Sequence, residues 1–282
     1  MDLGLSDKVV LITGASGGIG RALAQVFGAE GSSLVLGGHR NLQPLAEWVA
    51  QQPFAERALV LPFDVTDETA TTAAYAQAVE RFGRVDVAIA NAGVWPIPDE
   101  ALAQMSVERL SSTLQINLLG AALTARGFLA SLARTGPRDD GHGAALLFTG
   151  STAARFGERG HSDYALAKAG LTGLVQSLKH EIVDLDRWGR VNLVQPGWTV
   201  THMARPALRV PGVISRVVST MPLRQLARAR DIATCMASLA SPVLSRHVTG
   251  EVLTVAGGME GRLRWSPDEL DEDAVRARLE QE

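Results

Sequence analysis

Short apolar runs alternate along the chain with longer stretches whose apolar residues recur at three- and four-residue spacing. The runs KVVLIT (8–13), SLVLGG (33–38), ALVLPF (58–63), DVAIAN (86–91), AALLFTG (144–150), RVNLVQ (190–195) and EVLTVAG (251–257) are mostly apolar on both faces. A half-exposed antiparallel strand would alternate, so these read as parallel strands covered on both sides. Segments 18–30, 42–51, 67–82, 107–134, 162–186 and 229–240 have helical period and length. Strand and helix therefore alternate about six times, which predicts a doubly wound α/β (Rossmann) sheet of seven strands in a single domain.

Two segments depart from the alternation. Residues 196–230 carry Pro196, Pro206, Pro211 and Pro222 where a sixth strand should hand over to a helix. A loop of ~30 residues in a compact domain is expected to be a functional lid. Near the end, Ser266 as N-cap, Pro267 at the first helical position and Glu269 three residues after the cap predict a short acidic helix. The expected division is a Rossmann domain over 1–260 and an acidic helical tail over 261–282.

Composition narrows the class. With 282 residues, 46% hydrophobic and 20% charged, the chain is expected to be soluble and globular with a sizeable core. A net charge of −3 gives no general attraction for nucleic acid or an anionic membrane, and neither is an expected partner. The charge is uneven. Residues 266–282 hold seven acids against Arg276 and Arg278, which leaves the rest of the chain near +2, suited to an anionic cofactor. The single Cys235 excludes an intramolecular disulfide and reads as a buried, inert thiol on a helix. The N-terminus lacks the basic and apolar regions of a secretory signal, and no apolar run approaches ~18 residues. The expected compartment is the cytoplasm. The histidines and acids show no metal-ligand spacing, so no metal is expected.

Candidate chemistry sits in two places. The first strand runs directly into TGASGGIGRALAQVFG, where Gly14, Gly18 and Gly20 permit a tight turn and bring a helix N-terminus toward a phosphate. The spacing G-x-x-x-G-x-G differs from the G-x-G-x-x-G dinucleotide fingerprint, and by itself it also fits an ordinary turn. The second place is YALAK, with Tyr164 and Lys168 four apart in a chain of two tyrosines and three lysines. On a helix these share a face. An ammonium beside a phenol favours the phenolate and is expected to lower the Tyr164 pKa. Taken singly, Tyr164 also fits a packing role, Ser151 a cap and Asn117 a satisfied core amide.

TGASGGIG, Asp64-Val65, NAG at 91–93, Asn117 in INLLG, Ser151, YALAK and PGWTVT stand in the order and spacing of a known family. The chain resembles the single-domain short-chain dehydrogenase/reductases over about residues 6–258, and within them most closely the 3-oxoacyl-thioester reductases. The resemblance implies that Gly14, Ser16, Gly18, Ile19 and Gly20 line a pyrophosphate and that Asp64 and Val65 meet an adenine. It implies too that Asn91, Ala92 and Gly93 pass beneath the cofactor, with Pro196, Gly197, Thr199 and Thr201 at its nicotinamide end. Ser151 and Tyr164 would then meet a substrate oxygen, Lys168 would also hold the nicotinamide ribose, and Asn117 would hold a water leading protons from Lys168 to solvent. Members are commonly dimers or tetramers through the helices after strands four and five.

The cofactor is read from the end of the second strand, LGGHRN. An acid there would accept from a ribose 2′-hydroxyl, whereas a 2′-phosphate wants a cation. Gly38 stands where NAD-dependent relatives carry Asp, and His39 and Arg40 follow it. NADP(H) is favoured, with NAD(H) as the alternative. Trp95 after NAG and Trp198 after PG follow the two motifs that border the family's cleft. They either line an apolar or ring-bearing substrate or pack their loops. In the segment 221–233, Arg224, Arg228 and Arg230 depart from the family's usual Gly and acidic residues, which leaves a specialised ketoreductase open beside a 3-oxoacyl substrate, carrier-delivered or free. The expected activity is NADP(H)-dependent interconversion of a ketone and a secondary alcohol. Two other readings stand beside it, an NAD-dependent secondary-alcohol dehydrogenase and a non-catalytic dinucleotide sensor or scaffold.

Overall fold

The apolar runs of the inner strands become strands because helices cover them on both sides, while the edge strands Ala58–Pro62 and Val252–Val255 are only partly covered. The computed structural model describes residues 2–263 and 269–279. In chain order the first half comprises β1 (Val9–Ile12), α1 (Gly18–Ala29), β2 (Ser33–Gly38), α2 (Leu42–Val49), β3 (Ala58–Pro62), α3 (Glu68–Phe82) and β4 (Val87–Ala90). Then come α4 (Val107–Leu114), α5 (Gly120–Thr135), β5 (Ala145–Thr149), α6 (Ala153–Phe156), α7 (Ser162–Leu185) and β6 (Arg190–Pro196). The last part holds β7 (Thr199–Val200), α8 (Arg205–Leu208), α9 (Val213–Val218), β8 (Ala227–Arg228), α10 (Ala229–Ala240), β9 (Val252–Val255) and α11 (Glu272–Leu279).

Seven strands form one parallel sheet in the order β3-β2-β1-β4-β5-β6-β9. They are the seven read from the sequence, trimmed or extended by a residue or two at their ends. Side chains divide by strand alternation. Val10, Ile12, Leu34 and Leu36 pack beneath α1 and α10 with Phe27, Ile232 and Met236. Val9, Leu11, Leu146 and Phe148 pack beneath α3, α5 and α7 with Tyr75, Phe128 and Leu171. Each such side chain withdrawn from water stabilises the fold by about 1.5–3 kcal/mol. The strand order reverses between β1 and β4, and in sheets of this kind ligands bind in the crevice outside the carboxyl ends of the strands at that point.

Three expectations are modified. The helix predicted over 107–134 is interrupted by a π-turn at Gln115–Leu119. Its extra residue shifts the helical phase, so that Asn117 faces the loop after β4 while Gly120 rests on Val65, where a Cβ would come within 2.6 Å of the valine methyl. Taken whole, residues 107–135 are apolar and long enough to cross a membrane by length and composition, contrary to the reading that no such run exists. In the fold this segment packs against α3 and α7 as part of the layer covering the sheet. Cys235 is half-buried on α10, and burial raises its thiol pKa.

The proline-rich segment after β6 is built, with β7 pairing β8 and two short helices between them. Its base is a small apolar cluster in which Met221, Ala256 and Met259 are buried against Phe156, Trp198, Val217 and Leu226. Residues 199–230 contain six arginines and no acid. Arg228 pairs with Asp231 at 2.9 Å, and the other five make no ion pair among the described residues. The Ser266 cap lies outside the described residues. The described tail helix begins at Glu272, where the Asp271 side chain accepts from the Ala274 amide at 2.9 Å.

Candidate active site

The glycine turn leaves β1 with Gly14 in the left-handed region at φ 63°, a conformation glycine adopts without strain. Contact with the next loop also requires glycine here, since a Cβ on Gly14 would lie 2.7 Å from the Ala92 Cα. Gly20 packs against the Gly14 carbonyl, and Gly18 lies beneath Thr201, whose side chain a Cβ would meet at 2.9 Å. Gly17 caps α1 without any side-chain hydrogen bond, and the first turn carries no acid. The N–H groups of the first turn are therefore free of side-chain caps, which suits a pyrophosphate cradle. Ser16 is half-buried in this turn, and Ile19 packs onto the core below it.

Asn91 fastens the strand ends beneath that turn. Its Nδ2 donates to the Thr13 carbonyl at 3.0 Å and to the Gly14 carbonyl at 3.3 Å, and its Oδ1 accepts from the Thr149 hydroxyl at 3.2 Å. The Thr13 hydroxyl accepts from the amides of Asn91 and Ala92, both at 3.1 Å. Beyond the carboxyl ends of β2 and β3, His39, Arg40 and Asp64 converge. His39 Nδ1 lies 3.3 Å from the Asp64 carboxylate. The Thr66 amide chiefly holds that carboxyl below its ordinary pKa, with His39 and Arg40 adding to the effect. The Val65 side chain is turned into the core, so only its backbone faces outward.

At the other end Gly197 lies against Ala256, where a Cβ would come within 2.7 Å of the alanine methyl. The Pro196 carbonyl accepts from the Thr152 amide at 3.0 Å, and the Thr199 hydroxyl donates back to the Gly197 carbonyl at 2.9 Å. The two tryptophans part company. Trp198 packs the base of the proline-rich segment, whereas Trp95 meets Tyr164 edge to face, with ring centroids 4.8 Å apart.

Tyr164 and Lys168 lie one turn apart on α7, with Lys168 Nζ over the Tyr164 ring, 5.8 Å from its centroid. Lys168 is buried and donates to the Thr149 carbonyl at 2.8 Å. Loss of solvent pulls the ammonium pKa down to about 8. The expected lowering of the Tyr164 phenol is reversed. Burial pushes it up to about 12, and only a hydrogen bond with Ser151 acts the other way. The physical reason is loss of solvent around the phenol, which outweighs the Ser151 hydrogen bond. The phenol is thus protonated at neutral pH and able to donate. Ser151 also accepts from the Ala153 amide at 3.1 Å, which fixes its hydroxyl at the end of β5.

Asn117 is fully buried. Its Oδ1 accepts from the Val94 amide at 3.0 Å, and its Nδ2 donates to the carbonyls of Val94 at 3.1 Å and Thr113 at 3.2 Å. Its side chain clamps the loop after β4. Further residues of this frame escaped the sequence reading. Asp163 is buried beside Tyr164, and its carboxylate accepts from Arg109 Nε at 3.1 Å, the Thr113 hydroxyl at 2.9 Å and the Tyr164 amide at 2.9 Å. Burial would raise its pKa, but these donors outweigh it and the carboxyl stays below its ordinary value. Arg109 also donates to the carbonyls of Pro98 and Gly160, tying the Trp95 loop to the start of α7. A signal existed, because Arg109, Thr113 and Asn117 recur every four residues and share one helical face.

Residues 14–260 match the family described as Enoyl-(Acyl carrier protein) reductase. The chain is 32% identical to an L-rhamnose 1-dehydrogenase (NAD(P)(+)) of Sphingomonas sp. (strain SKA58), over 90% of this chain and 97% of that one. It is also 32% identical to a cis-4-hydroxycyclohexanecarboxylate dehydrogenase of Sinomonas cyclohexanicum, covering 90% and 96%. Among solved structures it resembles a 3-ketoacyl-(acyl-carrier-protein) reductase from Brucella melitensis complexed with NADH, with a TM-score of 0.79 and 26% identity over 90% of this chain and 98% of that one.

Proposed function

The chain belongs to the short-chain dehydrogenase/reductase family, related to the 3-oxoacyl reductases, and from that premise we propose that it is an NADP(H)-dependent carbonyl reductase with Ser151, Tyr164 and Lys168 as its catalytic residues. The observation that carries this reading is the Tyr164 phenol, kept protonated by burial and hydrogen-bonded with Ser151, with the Lys168 ammonium over its ring. The cradle residues fit a nicotinamide dinucleotide, which when bound supplies the hydride. Gly14, Ser16, Gly18, Ile19 and Gly20 hold its pyrophosphate, and Asn91, Ala92 and Gly93 form the floor. Pro196, Gly197, Thr199 and Thr201 close over the nicotinamide end.

The protein's part is proton delivery and orientation. Ser151 donates a hydrogen bond to the substrate carbonyl oxygen, and Tyr164 gives that oxygen its proton as charge develops. The tyrosinate left behind is stabilised by the Lys168 ammonium and regains a proton from solvent through it. In the oxidative direction the same groups act in reverse. The substrate is an apolar, ring-bearing or 3-oxoacyl ketone, supported by Trp95 beside Tyr164 and by the relatives named above.

Arg40 reads the 2′-phosphate. NAD(H) is the second reading because His39 already faces Asp64, which leaves Arg40 alone to pair with that phosphate. The protein acts as a homo-oligomer in the cytoplasm, and its catalytic domain is followed by an acidic tail over 261–282, whose Arg262 is fastened to Glu158. The test is a panel of carbonyl compounds assayed with NADPH and with NADH, on wild type and Tyr164→Phe. Wild type should turn over with NADPH preferred, and Tyr164→Phe should lose about two or more orders of magnitude while still binding cofactor. Full turnover in Tyr164→Phe would sink the assignment.

A further inference from the structure

His161, three residues before the catalytic tyrosine, is 1% exposed. Its imidazole lies against the indole of Trp95, with ring centroids 3.7 Å apart and planes inclined by 41°. Its Nε2 is 3.0 Å from an Asp99 carboxylate oxygen, while Nδ1 has no hydrogen-bond partner. The imidazole is therefore held by one polar contact and by the indole face. A histidine placed for catalysis would present a ring nitrogen to the cleft, whereas here Nδ1 is shut away from solvent.

Trp95 also meets the proposed catalytic tyrosine. The indole meets Tyr164 edge to face and is only half-buried, so part of it borders the place where the substrate carbonyl must lie. The loop that carries it cannot withdraw freely. Arg109 ties the Pro98 carbonyl to Asp163 and Gly160, and the Glu100 amide donates to the Gly160 carbonyl at 3.0 Å. An indole backed by a second flat ring and anchored at its loop is a rigid plane, and rigid planes favour flat ligands by stacking, at little ordering cost.

Resting on the carbonyl-reductase reading, we propose that His161 is a specificity-determining positioning residue that backs Trp95 as a fixed aromatic wall, so that the site selects a carbonyl carried on a flat ring over an open-chain one. His161 does not touch the reacting atoms. It acts through Trp95, and the flatness of its ring, more than its charge, is what matters.

The experiment compares acetophenone with octan-2-one, which have equal carbon number, on wild type, Trp95→Ala, His161→Leu and His161→Phe. His161→Leu fills the buried volume without a flat face, and His161→Phe restores the face without the link to Asp99. The ratio of kcat/KM for the ring compound over the open-chain one should fall about tenfold in Trp95→Ala and in His161→Leu, chiefly through KM for acetophenone. It should stay within about threefold of wild type in His161→Phe, and the Trp95→Ala/His161→Leu double variant should lose little more than either single variant. Calorimetric titration of both ketones into the full-length protein saturated with NADP⁺ gives a readout independent of turnover. Ring preference in binding without any turnover would overturn the reductase reading and support the wall. Absence of ring preference in wild type, equal loss on both ketones, or additive losses in the double variant would overturn the wall.

Discussion

Lys168 shows what burial does to a single side chain. Its ammonium is held at about 8, well below the ordinary 10.5 it would regain on unfolding. Between those values the unfolded chain binds more protons than the folded one, so stability should rise with pH through that window. The cost of burying the charge is fully present below pH 8 and gone above about 10.5. Denaturant midpoints of wild type and Lys168→Met should therefore differ most at pH 7 and converge above about pH 10.5, and a constant difference would contradict the burial. The same titration bears on catalysis, since reductive kcat/KM should be level through neutral pH and fall above about pH 8 as the ammonium is lost. The sequence disclosed the pairing of Tyr164 with Lys168 through spacing alone. It did not disclose the direction of the phenol's shift, because spacing places two residues on one face but does not say how deeply they are buried.

The strands and most helices were legible because apolar period is a local property, and β1 to β6 and β9 each begin or end within two residues of the runs that predicted them. The π-turn was not, since it answers to a distant demand. Asn117 must reach the Val94 backbone while Gly120 must seat on Val65, and an unbroken helix cannot do both. The loop carrying Trp95 was equally silent, because its hold on α7 comes from Arg109 and from a glycine. Gly160 sits at φ 79°, and a Cβ there would lie 2.8 Å from that of Asp99 and 3.1 Å from the Glu100 amide. Gly160→Ala should cost roughly 1–2 kcal/mol in backbone strain, more with the clash, and it should loosen this loop. Thermal melts with and without NADPH would show a lower midpoint in both states. An unchanged midpoint would mean that the loop can move aside without penalty.

Across the whole molecule an apolar face stands out where the π-turn before α5 lies beside α7. Leu119 is 48% exposed in a groove it lines with Leu114, Leu118 and Leu174, and Leu166, one turn before Gly170 of that groove, is 55% exposed. Placing Arg at both Leu119 and Leu166 should shift the protein toward monomer in light scattering, and a mass unchanged from wild type would remove this face as the subunit contact. The proline-rich segment after β6 has the opposite character, with five arginines that make no ion pair among the described residues, in the stretch that follows Thr201, whose side chain lies over Gly18 of the proposed phosphate cradle. Charges so arranged act before contact, since their summed field extends about a Debye length, ~8–10 Å, into the solvent and bends the path of an approaching anion. Although the chain as a whole is negative, its doorway is positive, and the two signs are felt at different distances. The capture rate of NADPH in stopped-flow mixing should accordingly fall as ionic strength rises while the escape rate hardly changes, and Arg205→Gln with Arg209→Gln should flatten that slope. This segment would then govern how often the dinucleotide finds the door, and the cradle how long it stays.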